Sequence, residues 1–462
     1  MLLLSMTVSA AEWTRSASIN ASAVYSDNIN LVSTGKESEI NGILTPSIAL
    51  HGEGARANLD LVGALEINSQ SGNNDSVNPR LQADANAELY ERVAFLDFNA
   101  TATQNAIDPL AVTGTDNLSN RGNKTTTYSY KFSPYLKHRY KGLAEMELRY
   151  TYNELSHSED NVTDTSSEMF NLSIDSGSDF TRVTWGFDAS RRTTDTDQGE
   201  VSRLSSLALR LGYRINRQWR LNGLVGDESN EFTSTQSSRD GSLWDIGATW
   251  TPSARTVLDF GIGERFFGST RRLSLSHTSR RSILTASYTH ELTDSTSLLS
   301  NQVVFPATDP FGQPIINSVT GDPFLISGNL ATIGTSTFVD ERLALSYTLR
   351  GRRTRLTLNA DTSDQTFQDS TRKVSLTGLG ASLSRTLSGK VSADVGLNWN
   401  QQEESGTGNR ESDTWRLQAG LNQRLGQKTN LRLNYSYTDR SSNQAGQSYE
   451  ENKLALTLIH TL

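Results

Sequence analysis

An alternation of apolar and polar residues with a period of two runs through most of this chain and constrains its fold more than any other feature. Successive side chains of a β-strand point to opposite faces, so each alternating segment has one apolar face and one polar face. No stretch shows a helical period of apolar residues. The pattern therefore predicts an all-β protein. Its clearest segments are 59–67, 81–89, 144–152, 207–213, 343–349, 391–399, 415–421 and 431–437.

Two kinds of connection alternate between these segments. The short connections are often basic, whereas the long ones are rich in Asn, Ser, Thr, Asp and Glu. Transmembrane barrels of bacterial outer membranes have short periplasmic turns and longer extracellular loops. The short set includes 138–142, 216–218, 278–281, 350–353, 388–390 and 426–428, and the long set includes 68–78, 105–124, 154–167, 228–240 and 401–412. The order predicts a transmembrane antiparallel up-and-down β-barrel of about 22 strands, within a range of about 20 to 24, formed by residues 12–462.

Two soluble β architectures compete with the barrel. A β-solenoid or adhesin passenger would show one constant repeat in place of two alternating classes of connection. A β-sandwich would need bulky core residues on the inner faces of both sheets. Here the polar face carries charges such as Asp60, Glu66 and Asp84, which are costly to bury unpaired. A water-filled lumen removes that cost, so the barrel is favoured.

The composition removes several classes of function. The mean hydropathy is −0.49, and the chain has no apolar run of the ~20 residues that a membrane-spanning helix needs. Lys plus Arg is 43 and Asp plus Glu is 51, which gives a net charge of −8 and no support for nucleic-acid binding. With no Cys and 6 scattered His, we expect no metal site. Neither a phosphate-binding nor a dinucleotide-binding motif occurs, so we expect no cofactor.

The first 11 residues indicate export. A short apolar start is followed by the small residues Val8, Ser9, Ala10 and Ala11, which is typical of the end of a signal peptide. The alternative is a buried N-terminal strand. Aromatic residues near predicted strand ends fit the two interfacial girdles of membrane barrels. The expected location is therefore the outer membrane of a Gram-negative bacterium, in contact with its lipid and lipopolysaccharide.

The polar face of the predicted strands supplies candidate residues for the lumen wall. Both signs of charge occur, which argues against strong ion selectivity and favours ladders of ion pairs that stiffen the wall. The candidate lumen-lining residues are Arg149, Arg182, Arg210, Arg214, Arg355, Arg416, Arg432, Glu145, Glu147 and Asp188.

The longest connection, residues 294–340, is the candidate constriction. A barrel of this size encloses a lumen wide enough to require a plug, and strands are expected from about Ser16 onwards, with no plug-sized segment before them. Four of the nine prolines fall in this connection, so it is not a regular strand throughout. Its apolar residues predict that it packs over or into the lumen; an extracellular loop packed on its neighbours or on lipopolysaccharide is the alternative. The candidate constriction residues are Phe305, Pro306, Phe311, Pro314 and Phe324.

Four stretches of the chain carry a family resemblance: YSDNINL at 25–31, TPSIAL at 45–50, GARANL at 54–59 and LSYTLRGRRT at 345–354. With them the sequence resembles the outer-membrane β-barrel proteins associated with the PEP-CTERM/exosortase system, which occur with exopolysaccharide gene clusters. The resemblance implies an outer-membrane location and a link to extracellular polysaccharide or biofilm production. It supplies no catalytic residues.

The functional hypothesis is a passive pore or scaffold associated with polysaccharide export. Its expected partners are polysaccharide-export proteins or the surface polysaccharide itself. A general diffusion porin and a non-transporting surface anchor or adhesin are the alternatives. Some membrane barrels are enzymes with Ser, His and acidic groups on the rim, and His157 is the best candidate here. A solvated acidic loop explains its neighbours Ser156, Ser158, Glu159 and Asp160, so we expect no enzyme activity.

Overall fold

A closed barrel of 22 antiparallel strands contains nearly all of the described chain. The computed structural model describes residues 12–69, 75–114, 116–119, 121–235, 239–301, 336–406 and 408–462. Each strand pairs with its neighbours in sequence, and the first strand closes the barrel on the last, from Ser18 opposite Thr461 to Ser26 opposite Lys453. The fold class and the strand number predicted from the alternation are thus confirmed.

The strands are mostly 13 to 15 residues long. In chain order they are β1 Glu12–Ser26, β2 Glu39–Glu53, β3 Ala57–Ser69, β4 Ser76–Tyr90, β5 Ala94–Ala106, β6 Lys124–Tyr140, β7 Ala144–His157, β8 Thr165–Ser176, β9 Val183–Thr196, β10 Val201–Arg214, β11 Trp219–Glu231, β12 Gly241–Ser253, β13 Thr256–Arg265, β14 Gly268–Thr278, β15 Ser282–Asp294, β16 Thr337–Arg350, β17 Thr354–Phe367, β18 Lys373–Thr386, β19 Val391–Ser405, β20 Arg410–Arg424, β21 Thr429–Ser442 and β22 Tyr449–Thr461.

Two short helical segments accompany the strands: a 3₁₀ turn, Arg121–Asn123, precedes β6, and a helix α1, Ser295–Ser300, follows β15. Within the described ranges, no helix is both long enough and apolar enough to cross a membrane. Residues 1–11 lie outside the described part, so their interpretation as a signal peptide stays a prediction.

The two faces of the wall differ as the alternation requires. Leu207, Leu209 and Leu211 of β10 are exposed on the outside, whereas Arg210 between them forms ion pairs on the inside. Exposed leucines also alternate along β22, at Leu454, Leu456 and Leu458. An outward apolar band around a polar interior is the arrangement that a lipid bilayer stabilises.

Aromatic side chains lie near both ends of the strands. Trp219 and Trp250 stack with ring centroids 5.7 Å apart near the ends that carry the short turns. Trp399 and Trp415 contact at 6.2 Å nearer the ends that carry the long loops. Amphipathic rings favour the boundary between hydrocarbon and headgroups. By the general rule for such barrels, the end with the short turns is periplasmic and the end with the long loops is extracellular.

Candidate functional site in the barrel lumen

The connection between β5 and β6, described at residues 107–114, 116–119 and 121–123, folds into the barrel and lies against its inner wall. We call this segment the inward loop. Its Leu118 packs in a buried cluster with Val24 and Ile29 at the loop end of β1, and with Ala455 of β22. Its Val112 packs in a second cluster with Leu31 and Tyr449. The sequence interpretation placed residues 105–124 among the external loops. The loop instead lies inside the barrel, because its apolar residues pack on the inner wall.

A buried ionic cluster attaches the middle of the inward loop to β22. The Nζ atom of Lys453 lies 2.8 Å from Asp116 Oδ2 and 3.0 Å from Glu451 Oε1. The Lys453 side chain is 1% exposed and that of Asp116 is 9% exposed. Burial opposes ionisation of Asp116, but the ammonium groups of Lys453 and Lys124 outweigh it and hold the pKa of this carboxyl below its ordinary value. Separating this pair would leave a buried charge without its partner, so the ion pair fixes the position of the loop.

The first part of the inward loop is held by two arginines, one on β20 and one on β21. Arg410 of β20 forms an ion pair with Asp108, at 2.5 Å from Nη1 to Oδ2. Arg440 of β21 donates from Nη2 to the backbone carbonyl of Leu110, at 2.6 Å. Because β20 and β21 lie several strands away from β5 around the barrel, the loop extends across part of the lumen and covers the inner wall near the junction of β22 with β1.

A second segment enters the lumen after β15. Asp294 ends that strand and accepts a hydrogen bond from the backbone N–H of Ser297, at 2.7 Å, as the N-cap of α1. Its carboxylate also lies 3.2 Å from Arg192 of β9. Leu299 of α1 packs against Leu155 of β7, which lies eight strands away from β15. The helix therefore crosses the interior near its extracellular end.

The predicted constriction is described only at its start. Residues 294–301 enter the lumen through Asp294 and α1. The candidate constriction residues Phe305, Pro306, Phe311, Pro314 and Phe324 lie outside the described residues, and their role stays a prediction. The inward loop is the obstruction that the sequence interpretation missed, and the apolar residues Leu110, Val112 and Leu118 within a polar loop are the signal that could have found it.

Ladders of ion pairs line the wall from β5 to β14. Arg149 lies 2.7 Å from Asp97 and 2.8 Å from Glu147, and Glu147 also contacts Lys137 at 3.2 Å. Near the turn end, Glu145 lies 2.7 Å from Arg139. Each of these side chains reaches a neighbouring strand or an adjacent position on the same face, so the pairs form a ladder along the wall; that they stiffen the wall stays a prediction.

Arg210 forms the next ladder, between Asp188 of β9 and Asp175 of β8. Gly186 lies opposite Arg210 in the pairing of β9 with β10. A Cβ atom at Gly186 would approach the Arg210 guanidinium and the Asp175 carboxylate to 3.0 Å. The absence of a side chain at this position therefore leaves room for the guanidinium to lie flat across the strands.

Arg272 of β14 makes an equivalent pair of contacts that the sequence interpretation did not find. It forms ion pairs with Asp245 of β12, at 2.9 Å, and with Asp259 of β13. A Cβ atom at Gly261 would lie 2.8 Å from its Nε atom. The sequence Gly261-Ile262-Gly263 within β13 is the signal that could have found this contact, because glycine inside a strand often marks a close approach by another group.

The remaining candidate arginines occupy different surroundings. Arg416 of β20 and Arg432 of β21 face the lumen, and the Nε atom of each is buried without a hydrogen-bond partner. Arg355 lies on the inner face of β17, opposite Arg350 of β16. Arg214 is the exposed last residue of β10. Arg182 lies in the turn before β9 and not within a strand, and its guanidinium is 5.4 Å from the ring centroid of Tyr213.

A cavity of about 840 Å³ opens along the wall from β8 to β15, away from the inward loop. Its lining includes Asp175, Asp188, Arg210, Asp245 and Arg272, so its charges are largely the paired members of the ladders. A hydrated surface of balanced charge can pass small hydrophilic solutes without strong selection by sign.

The structure also places His157, the catalytic candidate from the sequence, and the acidic side chains of the described ranges. No group of three or more His, Asp or Glu side chains there is arranged to hold a metal ion. The ring of His157 lies 3.2 Å from Thr127 Oγ1, and its backbone N–H donates to Asp164 Oδ1 at 2.9 Å. These contacts join β7 to β6 and to the following loop.

Solved structures share the architecture at very low sequence identity. No protein-family model matches the chain, and no curated protein does. The siderophore receptor PirA from Acinetobacter baumannii superimposes with a TM-score of 0.52 at 8% identity, over 97% of this chain and 80% of that one. The FrpB iron transporter from Neisseria meningitidis gives 0.55 at 6% identity, over 97% and 82%. These likenesses concern the fold. The shared fold, the outward apolar band and the closed wall together identify this chain as an integral 22-stranded β-barrel of the outer membrane.

Proposed function

We propose that this barrel is a passive, narrowed pore that serves the export of extracellular polysaccharide. One observation supports the pore: the inward loop covers the wall near the junction of β22 with β1, while the wall from β8 to β15 keeps a cavity lined by paired charges. A wall that is apolar outside, polar inside and narrowed by an attached loop is suited to hydrophilic solutes of limited size. The proposal includes no catalytic step.

The link to polysaccharide rests on the sequence resemblance to barrels that occur with exopolysaccharide genes. The lumen is compatible with it, since hydroxyl and amide side chains such as Ser206, Asn222 and Thr270 line the cavity beside the ion pairs. Such groups can form hydrogen bonds with the hydroxyls of a sugar chain, directly or through water. Surface polysaccharide, export proteins and lipopolysaccharide are the partners that this role implies.

Two measurements test the proposal against its alternatives. Single-channel conductance of the purified chain in planar bilayers separates a pore from a non-transporting anchor, which would give no steps of current. Secretion of polysaccharide by a deletion strain separates an export pore from a general diffusion porin. An export pore predicts lower secretion after deletion, restored by the intact gene. Unchanged secretion with a conducting barrel would leave the general porin as the better description.

A further inference from the structure

The periplasmic rim is basic over half of its circumference. From β10 to β21, six successive turns carry cations but no Asp or Glu, counted over residues 214–219, 253–256, 278–282, 350–354, 385–391 and 424–429. All of these turns lie in the described part of the chain, and their cations are exposed. By contrast, the four earlier turns include Glu53, Glu91 and Asp179. The twelve cations are Arg214, Arg217, Arg255, Arg280, Arg281, Arg350, Arg352, Arg353, Arg385, Lys390, Arg424 and Lys428.

This concentration is opposite to the balance of the whole chain, which has a net charge of −8. Charges of one sign around an opening raise the local concentration of ions of the other sign and speed their entry. The basic rim therefore attracts anions from the periplasm toward the lumen.

A column of arginines continues from this rim up the inner wall of β20 and β21. From the turn end to the loop end it consists of Arg424, Arg432, Arg416, Arg440 and Arg410, all on the inward face. Arg432 pairs opposite Asn422, six residues from Arg416 along β20, which corresponds to about 20 Å at the rise of a strand. The column thus extends over most of the height of the wall.

The upper and lower members of the column differ in their partners. At the top, Arg410 contacts the carboxylate of Asp108, and Arg440 contacts the carbonyl oxygen of Leu110, both from the inward loop. Lower down, Arg416 and Arg432 have no carboxylate within ion-pair distance among the described residues, and their Nε atoms have no hydrogen-bond partner. The arginines on the other wall, Arg149, Arg210 and Arg272, all have carboxylate partners.

We infer that this column and the basic rim bind a carboxylate-bearing polymer that enters from the periplasm. The inference rests on the proposed export function and names its substrate class as an acidic polysaccharide. Among the described residues, Arg416 and Arg432 form no ion pair, so their guanidinium groups keep hydrogen-bond donors for a ligand. The contact of Arg410 with Asp108 of the inward loop shows that an arginine of the same column binds a carboxylate. Guanidinium groups bind carboxylates with two parallel hydrogen bonds, which neutral sugars cannot offer.

The test compares oligogalacturonate, which carries a carboxylate on each sugar, with maltodextrin of equal length. Each is added from the turn side to single channels of the full chain, and binding of labelled oligogalacturonate to the purified protein is measured separately. We expect oligogalacturonate to block at a concentration at least about tenfold lower, since one lost charged contact corresponds to roughly a tenfold change in affinity. Higher salt should reduce the difference.

Variants locate the site. The double variant Arg416→Gln with Arg432→Gln should weaken binding of oligogalacturonate about tenfold or more, whereas Arg416→Lys with Arg432→Lys should retain part of it. The control variant, Arg203→Gln with Lys373→Gln, also removes two positive charges, but at the loop end of the barrel. It should leave the binding of oligogalacturonate unchanged. For each variant, resistance to unfolding by detergent shows that the barrel has folded.

Each outcome bears on one of the two proposals. Equal block by the acidic and neutral sugars, or equal binding by the Arg416/Arg432 double variant and the intact chain, would overturn the inference while leaving the pore intact. Specific binding of oligogalacturonate by a barrel that never conducts would support the binding site and refute the pore.

Discussion

The ammonium group of Lys453, in the last strand, lies 2.8 Å from the carboxylate of Asp116, in the inward loop. Glu451 is a second neighbour of the same ammonium, at 3.0 Å, and accepts a hydrogen bond from Ser26 of the first strand. Both Lys453 and Glu451 are 1% exposed. Lys453 thus forms ion pairs with two buried carboxylates, one in the inward loop and one in the last strand.

Replacing this cation should release the inward loop. In Lys453→Met the carboxylates of Asp116 and Glu451 lose their common partner, which costs about 3–5 kcal/mol when a buried pair is broken. The barrel wall has its own hydrogen bonds, so the loss is expected to displace the loop and to increase the single-channel conductance. Lys373→Met, an exposed change at the loop end, serves as the control. Conductance equal to that of the control would contradict the structural role given to Lys453.

Acid should weaken the same attachment, but only at low pH. The pKa of Asp116 lies below its ordinary value of 3.8 in the folded barrel. Its ionised form therefore contributes stability that is complete well above that value and is lost as the pH falls through the lowered pKa. We expect conductance to stay constant from neutral pH to about 4 and to rise only below that. A rise near pH 6 would show that another group controls the loop. Asp116→Asn should abolish the pH dependence.

The two faces of β10 predict opposite responses to one substitution. Leu209 is exposed on the lipid face near the middle of the strand, and Leu209→Arg should destabilise the barrel by about 2–4 kcal/mol. Ser206 lines the cavity, so Ser206→Arg should cost little. Urea unfolding in lipid vesicles measures both. Equal costs would mean that the register is inverted.

Sidedness can be tested with single cysteines because the chain has none of its own. Asp160 is exposed in the long loop after β7, and Arg352 is exposed in the short turn after β16. An impermeant maleimide should label Asp160→Cys on intact cells and Arg352→Cys only after the outer membrane is opened. Labelling with the reverse pattern would invert the assigned topology. Glu404 lies in the predicted external loop 401–412 but is not a suitable labelling site. It lies at the end of β19, where its carboxylate forms ion pairs with Arg372 and Arg410 and its side chain is buried.

The Arg210 ladder should control ion selectivity. Arg210→Gln leaves Asp175 and Asp188 without their cation on the cavity wall, so the reversal potential in a salt gradient should shift toward cation preference. Asp188→Asn should shift it toward anions. The pair of variants controls for general disturbance, because a structural defect alone would not move the potential in opposite directions.

The alternation of the sequence was sufficient to predict the barrel, its strand number and most faces, because side-chain direction on a strand follows position alone. Leu433 is 43% exposed on the outside and Asn434 is 1% exposed on the inside, as the pattern requires. The pattern does not predict how crowded the inside is. Asn434 is enclosed rather than lying in open water, so an arginine there would not be accommodated cheaply.

The position of the inward loop could not be predicted in the same way. Lys453 and Asp116 are more than three hundred positions apart, and no local period relates them. The apolar residues of the loop indicated that it packs on something, but only the closed barrel determines that β22 and β1 supply the surface. The ion pairs of Arg149 and Arg210 were predictable as a class, whereas their individual partners depend on the register between neighbouring strands.

The buried network around Lys453 also has a consequence for the order of assembly. It joins Ser26 of β1, Asp116 and Ser119 of the inward loop, and Glu451 of β22, so its members come together only when the last strand has paired with the first. Until then the carboxylates remain solvated and the loop has no fixed place. Sealing of the wall and narrowing of the passage are therefore a single late event, and a nascent barrel keeps a wide interior until its final hairpin is in position.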